Sequence, residues 1–539
     1  MMSIFCRNIR RRTDDVDIIR NFPLFTIVLS LFSGVFCTML KGKTAKYYTL
    51  IYECLLIVLV SFVLWYTYRT GDSFTYTMGE FPAPWGNEIR AGVLEATLAL
   101  GFLIIIFCSV MGGWKFLVVD VDETKVNLYF TLINLLTAAL MAMIWTNDIF
   151  TGYVFLEIMT LTSCGLMIVR EIGRTTLAAV RYMILNLLGS GLFLLGVVLL
   201  YDITGHLLMV PMQENIANMA STSAAMEPVT MSLGILTIGL SIKSGLFPFH
   251  FWMPDTYGWS TPTSASILSS IVSKAYIFLL FKIYYRCIGI EVFERLPIRK
   301  ILFILGILGM IFGSISAIRK SSVNRMVAYS SAAQIGYIYM GIGIGGMMGY
   351  TAAMFHILVH AVTKSLLFLT TPRLAEVSGD SLLFKNLQGS AHRAKDAGMV
   401  FLLCSLSMVG IPIFAGFSSK LMFALSAAQS DNMKILFFTM SALAISSVLN
   451  ALYFLRSVIR IYTEGRGGAD ISAHKLYEEE KGIRGVAYDM EDDEEEEETM
   501  LSKLEFRIPA AILIGMNLFL GLFSWYTVDL IQKGLEMFP

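Results

Sequence analysis

Several acidic and basic residues interrupt long apolar stretches of the sequence, where membrane-spanning helices are expected. They are one glutamate, four lysines and two histidines: Glu157, Lys243, Lys274, His356, His360, Lys364 and Lys420. An ionisable residue in a spanning helix costs roughly 2.5–3.5 kcal/mol on insertion scales, so such residues are rare unless paired, hydrated or functional. All of these side chains gain and lose protons. The pattern therefore predicts a line of proton-transfer sites.

The spacing and type of these groups indicate how they would work. His356, His360 and Lys364 recur every four residues, which places them along one face of a helix. Burial favours the neutral form of a lysine and a nearby carboxylate favours the charged form. Lys243 beside Glu157 would therefore switch its charge as the pair opens or closes. Histidine titrates near neutrality and suits a relay between lysines, and charge on one site lowers the proton affinity of the next.

Each group also has a purely structural interpretation. Lys243 and Lys420 could extend their long stems to a membrane interface, and Glu157 could bond a neighbouring hydroxyl. His356 and His360 could be packing residues, or two ligands of a zinc site that lacks a third. Recurrence argues against these interpretations, because five predicted helices each carry at least one such group.

Helix-breaking residues lie next to two of the lysines. They are Gly245, Pro248, Gly410, Pro412 and Gly416. Proline removes a backbone hydrogen bond and kinks a helix, and irregular backbone at membrane depth is tolerated where protein buries it or it lines a wet cavity. Interrupted helices in both halves of a chain are typical of inverted-repeat transporters.

The composition is that of a chain that crosses a membrane many times. Of 539 residues, 56% are hydrophobic and only 15% are charged, whereas soluble domains carry about a quarter charged residues. Since about 20 apolar residues span a bilayer, we predict an all-α integral membrane protein with about fourteen transmembrane helices. The predicted spans are 22–40, 48–68, 92–112, 125–145, 148–169, 176–201, 229–250, 262–286, 300–318, 325–346, 348–371, 397–423, 433–461 and 508–531. Tight helical hairpins are expected at Asn147-Asp148 and Gly345-Gly346.

Other classes of function find little support. The formal net charge is zero, which argues against nucleic acid as a partner. The 7 cysteines are scattered singly, without the spacing of zinc or iron–sulfur ligands. No phosphate-binding or dinucleotide motif occurs in a suitable context. We therefore expect no metal and no cofactor in this chain, so any redox centre would belong to partner chains.

A long polar insertion separates the last two predicted spans. It runs from Glu464 to Lys503 and contains an acidic block at 490–499. Like charges repel one another and favour an extended, solvated segment, and a docking segment is the alternative. At the other end, four arginines (Arg7, Arg10, Arg11 and Arg12) precede an apolar run that is long enough to be retained as a helix.

Three motifs resemble those of a known family. They are His250-Phe-Trp-Met-Pro-Asp255, set between Lys243 and Lys274; His360-Ala-Val-Thr-Lys364; and Ala415-Gly-Phe-Ser-Ser-Lys420. The sequence is similar to the antiporter-like subunits shared by respiratory complex I, membrane-bound hydrogenases and Mrp-type cation/proton antiporters. The resemblance covers roughly 92–460. The stretches Asn186-Leu-Leu-Gly-Ser-Gly and Tyr201-Asp-Ile-Thr-Gly resemble the Mrp D-type and hydrogenase relatives most.

The resemblance implies a fold with fourteen helices and two inverted five-helix repeats, 125–286 and 300–461, in which the seventh and twelfth helices are broken. An N-terminal three-helix segment (1–124) would precede the repeats, and an acidic loop (464–503) and a C-terminal transmembrane helix (504–539) would follow.

The resemblance also implies roles for individual residues. Glu157 and Lys243 would be the switching pair of the first half-channel, and Lys420 would gate the second. The residues that carry protons between them would be Lys274, His356, His360 and Lys364. Supporting positions would be Asp148, His250 and Asp255. Some relatives have glutamate where Lys420 stands, and the loop after Asp255 lacks the acidic residue that is common before its proline.

The implied function is proton translocation by one subunit of a larger complex in a prokaryotic cell membrane. Partner chains could include iron–sulfur, flavin or hydrogenase-type subunits, and the driving force would be their redox chemistry or a sodium gradient. Two alternatives remain: a free-standing secondary transporter, and a structural membrane subunit that does not pump.

Overall fold

The computed structural model describes residues 18–81, 86–222, 226–430, 432–464 and 500–538. The N-terminal arginines and the acidic block at 490–499 lie outside these ranges, so the interpretations given for them remain predictions. Within the described residues the chain is almost entirely helical, with one short β-hairpin.

Most of the helices have the length of a membrane crossing. Within the described residues, 11 helices are long and apolar enough to span a membrane, and a shorter apolar helix, Phe22–Cys37, precedes them. The helices in chain order are α1 (Phe22–Cys37), α2 (Gly42–Thr70), α3 (Val93–Gly112), α4 (Trp114–Asp120), α5 (Val126–Trp145), α6 (Ile149–Ile168), α7 (Gly173–Thr204), α8 (Met209–Ser221), α9 (Glu227–Ser244), α10 (Met253–Trp259), α11 (Pro262–Cys287), α12 (Ile290–Arg295), α13 (Pro297–Ile318), α14 (Val323–Ile344), α15 (Gly346–Glu376), α16 (Ser390–Arg393), α17 (Lys395–Val409), α18 (Ala415–Ala428), α19 (Met433–Tyr462), α20 (Met500–Leu522) and α21 (Ser524–Glu536).

Many predicted spans coincide with single helices, and three do not. The span predicted at 229–250 is α9 followed by the first break. The span predicted at 397–423 is two helices, α17 and α18, separated by a break. The span predicted at 508–531 is likewise two helices, α20 and α21. Hydropathy alone does not reveal these breaks, because the residues within them are as apolar as their neighbours.

A two-stranded antiparallel hairpin joins α2 to α3. Its strands are β1 (Phe74–Thr77) and β2 (Glu88–Ala91), and Phe74 lies opposite Ala91. The Asn147 amide, in the tight connection between α5 and α6, donates to the Glu88 carbonyl oxygen at 2.9 Å. The hairpin therefore holds the connection that precedes α6 by a backbone hydrogen bond. These strands were not predicted from the sequence.

The two helix breaks have left-handed backbone at their first residue. Gly245 follows α9 with φ 77°, and Gly410 follows α17 with φ 94°. Glycine adopts this conformation without the steric cost of a Cβ. Gly416 was predicted as part of the second break, but it lies in the first turn of α18, and a Cβ there would collide with the Ser407 carbonyl oxygen. Its role is therefore close packing of α18 on α17.

Two helices form the centre of the bundle. In α11 and α15 every residue of the most apolar window is buried. These helices carry four of the predicted proton-transfer residues, which therefore lie away from the lipid-facing surface. Helix α11 also contains two π-helical segments, Leu268–Val272 and Ile283–Cys287.

Candidate functional site: a line of buried basic residues

Lys243 lies on the last turn of α9, directly before the first break, and its side chain is fully buried. Its Nζ donates to Thr160 Oγ1 at 2.7 Å and lies 4.0 Å from Glu157 Oε1. Glu157 and Thr160 are three residues apart on α6, so both face the lysine. The Tyr276 ring lies 5.4 Å from Nζ. This geometry rules out a lysine that extends to the membrane interface.

Glu157 is less enclosed than its mid-helix position suggested. Its side chain is 22% exposed, while Oε1 is buried and has no hydrogen-bond partner among the described residues. A carboxylate at 4.0 Å from an ammonium is in electrostatic contact without a hydrogen bond. A small shift of either side chain would therefore make or loosen the pair.

Lys274 lies on α11 immediately after its first π segment. Its Nζ donates to the backbone carbonyl of Ser269, five residues earlier. Such π segments are frequent at functional sites, because the changed hydrogen-bond register leaves a backbone group available. A carbonyl oxygen is a neutral partner, so Lys274 is held without an opposing charge.

Serines lie between Lys274 and Lys364. Ser269 Oγ lies 3.0 Å from Ser331 Oγ on α14, and Lys364 Nζ donates to the neighbouring Ser330 hydroxyl. Lys364 also donates to the Val327 carbonyl at 2.9 Å. Hydroxyl groups both donate and accept hydrogen bonds. The contact of α11, α14 and α15 thus places polar groups between two buried lysines, although Lys274 bonds the carbonyl of Ser269 and not its hydroxyl.

The two histidines lie one and two turns before Lys364 on α15. The rings of His356 and His360 are nearly parallel, with centroids 6.1 Å apart. His356 Nδ1 lies 2.6 Å from Ser419 Oγ on α18, and the Tyr337 ring is 5.3 Å from the His356 ring. Both His360 nitrogens lack a hydrogen-bond partner among the described residues. Nor do the described residues contain a group of three or more His, Cys, Asp or Glu that could hold a metal ion.

Lys420 lies on α18, just after the second break. Its Nζ donates to the Val409 carbonyl at 2.7 Å, the Met408 carbonyl at 3.3 Å and Ser447 Oγ at 3.1 Å. Both carbonyls end α17, where the helix dipole is negative. Among the described residues, no carboxylate lies within 4.0 Å of this ammonium.

The supporting residues have clear structural roles. Asp148 caps α6, accepting from the Thr151 amide at 2.6 Å, and burial raises the pKa of this carboxyl. Asp255 accepts from Arg181 at 3.0 Å and Arg325 at 2.6 Å, so it ties α10 to α7 and α14. His250 follows the first break and stacks on Phe247 at 5.7 Å.

The polar line has one gap in its first half. From Lys243 it continues through Thr160 to the Tyr276 hydroxyl, 3.2 Å from Thr160 Oγ1. Tyr276 and Lys274 are two residues apart on α11, so they point in different directions. Proton passage here would require a rearrangement or intervening water.

Several other buried charges were not predicted as site residues. Lys282 is fully buried and donates to the carbonyls of Ile144 and Thr146, both at 2.7 Å. Arg286, the last residue of the span predicted at 262–286, is 1% exposed. Glu53, on α2, is also fully buried. All three were detectable as charges within or next to apolar runs.

The sequence is similar to known membrane subunits. Residues 146–446 match the family described as NADH:quinone oxidoreductase/Mrp antiporter, TM. The chain is 29% identical over 458 residues to NADH-quinone oxidoreductase subunit N of Desulforudis audaxviator, covering 83% of this chain and 87% of that one. It is 24% identical over 479 residues to the D-type subunit of a Na(+)/H(+) antiporter of Bacillus subtilis, covering 89% of each.

A solved structure shares the fold along nearly the whole chain. It is a chain of the membrane-bound sulfane sulfur reductase, an archaeal respiratory membrane complex. The TM-score is 0.80 at 25% identity, covering 96% of this chain and 97% of that one. The fold is thus one that occurs in subunits of respiratory membrane complexes.

Proposed function

Because the chain belongs to the transmembrane family of NADH:quinone oxidoreductase and Mrp antiporter subunits, we propose that it translocates protons as one membrane subunit of a multisubunit complex. The relatives named above are subunits of complexes of this kind. The chain's own contribution is the line of titratable side chains that begins at Glu157 and ends at Lys420.

One observation carries the proposal: the line's lysines are buried or nearly so, yet a carboxylate accompanies only one of them. Lys274 and Lys364 are fully buried and are held by carbonyl and hydroxyl oxygens. Neutral oxygens stabilise an ammonium less than a paired carboxylate does, and burial favours the neutral amine. Such lysines accept and release protons at modest cost, which suits a relay. A purely structural subunit would have no use for them.

We assign the start of the proton path to the Glu157–Lys243 pair. When the pair is closed, the carboxylate stabilises the charged lysine. When it opens, Lys243 loses that stabilisation and passes its proton on through Thr160 and Tyr276. A positive charge arriving at Lys274 then lowers the proton affinity of the next sites. The His356–His360 pair carries the proton from Lys364 towards Ser419 and Lys420.

The same proposal includes the finer architecture. We assign fourteen crossings, counting α9 with α10, α17 with α18 and α20 with α21 as single interrupted crossings. Two inverted five-helix repeats, 125–286 and 300–461, would follow an N-terminal segment (1–124), and the acidic loop (464–503) and the C-terminal crossing (504–539) would complete the chain. Support comes from the breaks, since each proposed repeat contains one break with a lysine beside it.

The proposal is tested by replacing Lys243 in the assembled complex. Proton translocation is measured in proteoliposomes with a pH-sensitive dye, and assembly is followed by co-purification of the partner chains. We expect Lys243→Ala to lower translocation by about a hundredfold, the order of a lost proton-transfer group, with assembly unchanged. The control is Lys125→Ala, which removes a partly exposed lysine paired with Glu171. Normal pumping by the Lys243 variant would overturn the proposal.

The identity of the partner chains would distinguish between two driving forces for proton translocation. We propose that the complex lies in a prokaryotic cell membrane and is driven by redox chemistry in other chains or by sodium exchange. Purification in mild detergent, with identification of every chain and assay of iron, nickel and flavin, separates the two. Iron–sulfur or flavin chains would place the subunit in a redox-driven pump. Only small membrane chains without redox metal would place it in a cation/proton antiporter.

A further inference from the structure

A second buried carboxylate lies outside the proton line, where α1, α2 and α5 meet. Glu53 is fully buried on α2, and its Oε1 accepts a hydrogen bond from Thr137 Oγ1 on α5 at 3.0 Å. Its other oxygen, Oε2, is buried and has no hydrogen-bond partner among the described residues. No described lysine, arginine or histidine lies within 4.0 Å of it. A buried carboxylate without a positive partner is costly.

Two further oxygens on the same two helices, α2 and α5, are also buried and without a hydrogen-bond partner among the described residues. They are Thr49 Oγ1 on α2 and Asn134 Oδ1 on α5. Asn134 is oriented by its own amide, because Nδ2 donates to Ser33 Oγ on α1 at 3.0 Å and so turns Oδ1 away from that serine. The hydrogen bond to Ser33 on α1 therefore leaves the amide oxygen of Asn134 free to contact another group.

Helix geometry places these oxygens in one layer. Helices α2 and α5 run in the same direction, because α3 crosses back between them. Thr49 precedes Glu53 by one turn on α2, and Asn134 precedes Thr137 by about one turn on α5. Since Thr137 and Glu53 are in contact, Thr49 and Asn134 lie at the same level, about 5.4 Å along the helix axes from that contact. Helix geometry thus brings the three unpartnered oxygens to one region of the contact between α1, α2 and α5.

We propose that Glu53, Thr49, Asn134 and Thr137 form a binding site for a monovalent alkali cation of the sodium class. Carboxylate, hydroxyl and amide oxygens are the ligands that hard cations prefer. A single positive charge neutralises the single carboxylate, whereas a divalent ion would leave an uncompensated charge in an apolar interior. The cation would hold the three helices together at a point that no residue of the proton line reaches.

The site goes beyond the proposed function, because it is separate from the lysine line. Equilibrium binding of radioactive sodium to the purified complex tests it, with wild type compared with Glu53→Gln. We expect the wild type to bind one more sodium ion per chain than the variant, or to bind it at least tenfold more tightly. The control is Glu171→Gln, at an exposed carboxylate paired with Lys125, which should bind sodium as the wild type does.

A second variant keeps the test decisive if Glu53→Gln does not assemble. Thr49→Val is nearly isosteric and removes an oxygen that bonds no described residue, so folding should survive while sodium affinity falls severalfold. Equal sodium binding by wild type and both variants would overturn the inference and identify Glu53 as a protonated carboxyl only. The Lys243→Ala pumping assay is independent of this result, so the two proposals fail separately.

Discussion

Lys243 and Lys420 each lie beside a break in a helix, but on opposite sides of their breaks and with different partners. Lys243 precedes its break and faces a carboxylate at 4.0 Å. Lys420 follows its break and is held by two carbonyls that end α17 and by a serine. The first lysine therefore faces an opposing charge, and the second faces the negative end of a helix dipole.

Under the proposed function, this difference would give the two lysines different tasks. A carboxylate side chain can move away, so the first site would switch its lysine between charged and neutral forms. Backbone carbonyls are fixed, so the second site would hold its lysine in place and respond to a charge on the histidines. We expect the first half to control when a proton enters and the second to set where it leaves.

Of the variants that test this comparison, removal of the Glu157 carboxylate should have the largest effect on proton translocation. Glu157→Gln keeps the shape of the side chain and takes away its charge, so Lys243 loses the stabilisation of its charged form. We expect proton translocation by the reconstituted complex to fall by about tenfold, which corresponds to about 1.4 kcal/mol. Unchanged translocation would show that the two breaks work alike and that Glu157 is not part of the switch.

A carboxylate added to the second site makes the opposite change. Ser447 Oγ lies 3.1 Å from Lys420 Nζ, so Ser447→Asp gives this lysine an ion-pair partner and favours its charged form. We expect translocation to slow by about threefold to tenfold, because proton release becomes harder. Ser447→Asn, which adds the same bulk without charge, should be close to wild type. If both variants behave alike, size rather than charge matters at this site.

A substitution in the backbone of the second break should have a smaller effect on proton translocation. A Cβ at Gly410 would lie 3.1 Å from Lys420 Nζ and would crowd the lysine away from its carbonyls. Gly410→Ala should therefore lower both stability, by about 1–3 kcal/mol, and translocation. The control is Gly346→Ala, where φ is 66° and a Cβ would meet nothing within 4 Å. It should lose stability and keep translocation, and a loss of translocation in both variants would contradict this explanation.

The smallest expected effect concerns strain in the same break. Ile413 has φ 87° and is 58% exposed, and a β-branched residue with positive φ is an outlier. Ile413→Gly should raise thermal stability by about 1 kcal/mol, measured by the unfolding temperature of the purified complex. Ile411→Gly, at an exposed residue without positive φ, should give no such gain. A destabilised Ile413 variant would show that the strain is absent.

Hydropathy was sufficient to predict the membrane class and many crossings. The spans predicted at 92–112 and 125–145 differ by only a residue or so from Val93–Gly112 and Val126–Trp145, because each is bounded by polar or glycine residues. The β-hairpin was missed, since its strands are only four residues long. The π segments of α11 were missed because a change in hydrogen-bond register leaves no mark on apolar periodicity.

The hydrogen-bond partners of the predicted site residues were harder to predict from the sequence than the residues themselves. Charges such as Lys274 and Lys364 are visible in sequence because they interrupt apolar runs. Their partners, Ser269 and Ser330, are common residues on other turns or helices, and only the packing of α11, α14 and α15 brings them together. Arg286 ends the span predicted at 262–286, and its burial was not predicted because a charge at the end of a span is expected at the membrane surface, whereas this helix lies within the core.

The central claim is that protons pass along one line through both halves, and Lys364 lies where the halves meet. The most direct measurement is proton translocation by the reconstituted complex carrying Lys364→Met, which keeps the length of the side chain and removes its titratable group. Lys385→Met, at an exposed lysine, is the control. We predict that the Lys364 variant assembles and translocates almost no protons, while the control pumps normally. Wild-type translocation by the Lys364 variant would contradict the account.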